Sequence, residues 1–71
     1  MSERTRSELF DALRELLDAM PDYRFGQAIS NLALLARGGD GDPVYEVEDD
    51  ELLAAALKHL QDWRRSHPAV A

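Results

Sequence analysis

Two interruptions, Pro21 and the run Arg37-Gly-Gly-Asp-Gly-Asp-Pro43, cut this chain into three stretches that each read as one amphipathic helix. A proline pushes the residue before it out of the α region, and glycine supplies the positive φ at which helices end. The first stretch runs from about Glu3 to Ala19. Leu9, Leu13, Leu16, Leu17 and Met20 recur there at helical spacing, with Phe10 widening the face. The second runs from about Tyr23 to Arg37, with Asp22 as its N-cap and Phe25, Ala28, Ile29, Leu32, Leu35 and Ala36 as its stripe. Gly26 in its first turn costs about 1 kcal/mol relative to Ala, so either another backbone packs closely there or the helix starts late. The third runs from Asp49 or Asp50 to Ser66, with Leu53, Ala56, Leu57, Leu60 and Trp63 buried. Residues 67–71 form a C-terminal tail behind a single helical domain at 1–66.

Three such faces bury one another only in an all-α fold, here a small three-helix domain. The connection between helices two and three is expected to be extended. "PVYEV" is rich in β-formers but has no partner strand, so it tucks Val44 and Val47 onto the core.

That connection also holds the charge. Between Asp40 and Glu51 lie seven carboxylates and no base, half of the fourteen acids in a chain of net charge −6. Three readings compete. In the first, Glu48, Asp49, Asp50 and Glu51 stabilise the partial positive charge at a helix N-terminus, and Val47 staples onto Leu52 or Leu53. In the second, Asp40, Asp42, Glu48 and Glu51 bind calcium or another cation, since they fall at positions 1, 3, 9 and 12 of an EF-hand loop. Against it, Val44 stands at position 5, Tyr45 replaces the turn glycine, and Pro43 precedes both. In the third, the acids face a basic partner, which favours encounter and orientation. The cap reading is preferred. Arg24 is a candidate to tie the connection down through Glu46 or Glu48.

The remaining polar residues carry little chemistry. Arg24, Gln27 and Asn31 form a row beside the stripe of helix two, suited to hydrogen-bonding a loop or to binding. Leu34 and Ala33 lie off that stripe, and with a second spot at Leu52 and Ala55 they suggest a homodimer contact. His59 reads as surface decoration near Asp62 or Trp63, and His67 lies in the tail.

No cofactor is implied. The serines sit in no nucleophile motif, the glycine run lacks the phosphate-loop lysine, and so few short helices offer little room for a pocket of ~300 Å³. The chain is therefore not expected to be an enzyme. Its acidity disfavours nucleic acid, which needs a basic patch. No apolar run approaches the ~20 residues of a membrane span, and with no cysteine and no secretory signal the expected place is the cytoplasm.

"YRFGQAISNL" and "DPVYEVEDDELLAAALKHL" together resemble small uncharacterised bacterial proteins with an Arg-x-Gly-Gln and a Tyr-x-Val-Glu-Asp-x-Glu-Leu pattern. Here these are Arg24, Gly26 and Gln27, then Tyr45, Val47, Glu48, Asp49, Glu51 and Leu52. The resemblance spans residues 21–60 and implies a bacterial source and a shared fold, but no catalytic residue. The expected function is a small non-enzymatic interaction or accessory module with a protein partner, engaged through Arg24, Gln27, Asn31, Leu34, Glu48 and Asp49. Cation binding through the acidic stretch is the alternative.

Overall fold

The structure, a computed structural model, describes residues 3–66. It is all-α: α1 spans Glu3–Ala19, α2 Phe25–Arg37, α3 Pro43–Glu46 and α4 Asp49–Ser66. The expected tail at 67–71, with His67, lies outside the described residues.

α1 and α2 each pack along α4 and scarcely on one another. Cross-helix pairs set the directions. Arg6 meets Asp49, and Glu15 meets Arg64, so α1 and α4 run the same way. Arg37 meets Glu51 at one end of α2 while Tyr23 lies against His59 near the other, so α2 runs opposite. The result is an up-down-up arrangement with the last helix in the middle.

That central position explains where the core differs from a one-stripe reading. A helix with a neighbour on either side buries a wide arc, and α4 buries Leu52, Ala55, Ala56 and Leu60. Leu57, expected inside, falls beyond the arc and is 51% exposed. Leu52 and Ala55, expected as half of a surface patch, are interior instead. On α1 the buried set is Leu9, Ala12, Leu13 and Leu16, and Phe10 turns outward. On α2, which touches both α4 and α3, Ala28, Leu32 and Ala33 are buried while Phe25 and Leu35 lie open. Ala33 is thus no part of a surface spot, whereas Leu34 is exposed as expected. Of the four residues expected at a homodimer contact, Ala33, Leu52 and Ala55 are interior and Leu34 is exposed.

The helix ends follow local chemistry. α2 begins later than expected: Arg24, not Asp22, holds the extended N-cap conformation, and Gln27 Oε1 accepts from the Arg24 amide at 3.1 Å. Gly26 nevertheless stays inside the first turn of α2, and an added Cβ would meet nothing within 4 Å, so no close backbone approach requires glycine there. At the far end the Gly38 amide donates to the Leu34 carbonyl at 2.7 Å, with Gly38 at φ 80°.

The extended connection is the clearest correction. Pro43–Glu46 forms one helical turn, capped by Asp42, whose carboxylate accepts from the Tyr45 amide at 3.4 Å. Proline at the first position is preorganised for a helix and lacks only an amide that would have no partner there. That local start outweighs the β preference of Val44 and Tyr45, which side-chain packing against neighbouring strands would have to support. Val47 does pack on the core, but Val44 points largely to solvent.

Candidate functional site

The acidic joint is organised by α4. The Glu48 carbonyl accepts the first helical hydrogen bond, from the Leu52 amide at 2.9 Å, which makes Glu48 the N-cap. Three residues on, Glu51 Oε1 reaches back to accept from the Glu48 amide at 2.9 Å, the carboxylate half of a capping box. The same carboxylate receives Arg37 Nη1 at 2.8 and 3.1 Å. One side chain thus closes the α4 terminus and clamps it to the end of α2. Asp49 pairs with Arg6 of α1, and Asp50 Oδ1 accepts from the Glu51 amide. Glu46 folds back over Gly41, where a Cβ would sit 3.0 Å from its Oε2. The tie to the joint comes from Arg37, not from Arg24 at the opposite end of α2.

The Glu48 amide, and after it Arg37, hold the Glu51 carboxyl below its ordinary value of 4.5, with some desolvation opposing them. A depressed carboxyl stabilises the fold above its unfolded value and stops doing so as pH falls through the folded one. The Tm difference between wild type and Glu51→Gln is therefore expected to be constant above pH 4.5 and to shrink below it. A difference that grows with acidity in thermal melts would contradict the clamp.

Asp40, Asp42, Glu48 and Glu51 do not converge. Among the described residues no group of three or more acids or histidines is placed to hold a metal ion. The carboxylates of Asp42 and Glu51 are instead turned to backbone amides and Arg37.

The polar row of α2 divides. Gln27 serves the N-cap as described, and Asn31 Nδ2 donates to the Tyr23 hydroxyl at 2.6 Å. Tyr23 in turn lies against His59, ring centroids 6.2 Å apart. The row fastens the α1–α2 turn to α2 and, through Tyr23, to α4. His59 faces Tyr23 instead of Asp62, which pairs with Lys58 at 3.3 Å.

No protein-family model, curated protein or solved structure matches the chain.

The structure does contain a groove that sequence reasoning missed. It lies between α2 and α4, has a volume of about 410 Å³, and is open to solvent. Leu35, Ala36, Ala54 and Ala55 provide its apolar surface, with Glu51, Lys58, His59 and Asp62 around it. Room for it exists because three alanines stand where longer side chains would fill the space. The signal was present in "LLAAALKHL", but alanine counts equally as core or surface in an apolar pattern. Among the described residues no helix is long and apolar enough to cross a membrane.

Proposed function

We propose that this chain is a small non-enzymatic interaction module, an accessory or regulatory protein of the bacterial cytoplasm that acts by binding another protein. The observation that carries this reading is the amount of large apolar side chain left outside. Phe10, Phe25, Leu34, Leu35, Val44, Tyr45 and Leu57 are all at least 44% exposed in a domain whose core is leucine and alanine. Scattered exposed leucines need no explanation. Here, however, two phenylalanines and an 87% exposed tyrosine stay in water while the interior is filled by smaller residues. Large apolar side chains that gather at a surface mark contact sites, and aromatic residues are enriched in interfaces. Of the residues expected to engage a partner, Gln27, Asn31 and Asp49 are occupied within the fold, while Arg24, Leu34 and Glu48 are exposed.

Photo-crosslinking in cells of the source organism tests this, with a photoreactive amino acid placed in turn at Phe10, Leu35 and Leu57. A discrete protein adduct from at least one position is expected. Absence of any adduct from all three, with the protein folded and expressed, would remove the proposal.

A further inference from the structure

We infer that the α2–α4 groove is the seat of a basic amphipathic helix belonging to a protein partner. This rests on the interaction reading above and specifies its site and the chemistry of its occupant. Three observations lead to it. First, the groove follows α4 from Glu51 to Asp62, roughly 16 Å at helical rise. That length takes the i, i+3, i+4 and i+7 anchors by which an amphipathic helix reads a groove. Second, its floor is Ala36, Ala54 and Ala55, with Leu35 as a 65% exposed wall. Short side chains let a helix backbone approach within the ~8–10 Å separation of packed helices. No strand is present among the described residues, so an extended peptide would find no backbone edge to pair with.

Third, the charge is one-sided. At the Glu51 end the groove adjoins the stretch from Asp40 to Glu51, seven carboxylates without a base. Arg37 pairs with Glu51 and Arg6 with Asp49, which leaves five of the seven without a basic partner among the described residues. At the other end Asp62 and Lys58 pair with each other, so the negative field lies at the Glu51 end. Lysines and arginines flanking the apolar face of an incoming helix meet that field, which orients it and speeds its arrival. An acidic helix would be repelled. Docking this way adds a further helix beside α2 and α4 and covers Leu35.

The test uses two synthetic peptides of about eighteen residues, roughly five helical turns. Both carry the same leucine face, and the remaining positions are lysine in one and glutamate in the other. Binding to the intact chain is read by fluorescence anisotropy. The lysine peptide is expected to bind at least about tenfold more tightly than the glutamate peptide. Leu35→Glu is expected to weaken the lysine peptide about tenfold although it adds a carboxylate, because it removes apolar contact. Phe10→Glu, which likewise replaces an exposed apolar side chain by glutamate but on α1, is expected to leave binding within about twofold.

Equal binding of the two peptides would overturn the basic occupant. Undiminished or tighter binding by Leu35→Glu would mean attraction to surface charge alone, and would overturn the groove. A dimer in sedimentation that Leu35→Glu splits would give the groove to a second copy, also against the proposal. In cells, a protein adduct from Phe10 or Leu57 with none from Leu35 would keep the interaction reading and discard this one.

Discussion

Leu16→Ala is expected to lose about 2–5 kcal/mol of stability, the usual cost of deleting a buried leucine and leaving a cavity. Leu16 is fully buried on α1 within the cluster that includes Leu32 of α2 and Leu60 of α4. A domain of this length has roughly 4–10 kcal/mol in total. The variant therefore loses a large part of its margin, and its Tm should fall by about 4–8 °C for each kcal/mol. Urea titration followed by far-UV circular dichroism measures this. Leu34→Ala, on the exposed side of α2, is the matched control and should stay within about 0.5 kcal/mol of wild type. Equal losses from the two variants would mean that the three long helices do not share one interior.

The second large effect is at Gly38. Its φ of 80° and ψ of −169° lie in a region that is essentially reserved for glycine. Gly38→Ala is expected to cost about 1–3 kcal/mol. Gly39→Ala, one residue on, has negative or extended φ and open space around the new Cβ. It should be neutral or stabilise by about 0.4–1 kcal/mol through the unfolded chain. A pair of adjacent glycines with opposite responses in denaturation curves is the expected result. If both substitutions were silent, the end of α2 would not be held as described.

What could be read from the sequence was decided locally. Pro21, Gly38 and the acids before Leu52 fix where helices stop and start through the chemistry of single residues. The ends of α1 and the start of α4 accordingly fall where expected. What could not be read depends on neighbours. Which side of α4 is buried follows from its place between α1 and α2, so Leu57 and Leu52 exchanged roles relative to the stripe. The turn at Pro43–Glu46 was legible in principle, since Asp42 before Pro43 is a cap before a preferred first residue. The β-forming character of Val44 and Tyr45 hid it. The groove was not legible, because alanine reveals a shallow surface only once its facing helix is known.

Making the last long helix the shared partner of the other two has a consequence for biogenesis. As long as the segment after Arg37 is still inside the exit tunnel, α1 and α2 have nothing to close upon, because they scarcely meet each other. A nascent chain paused there exposes Leu9, Leu13, Leu16 and Leu32 together, and it gains an interior only when the residues beyond Asp49 leave the exit tunnel.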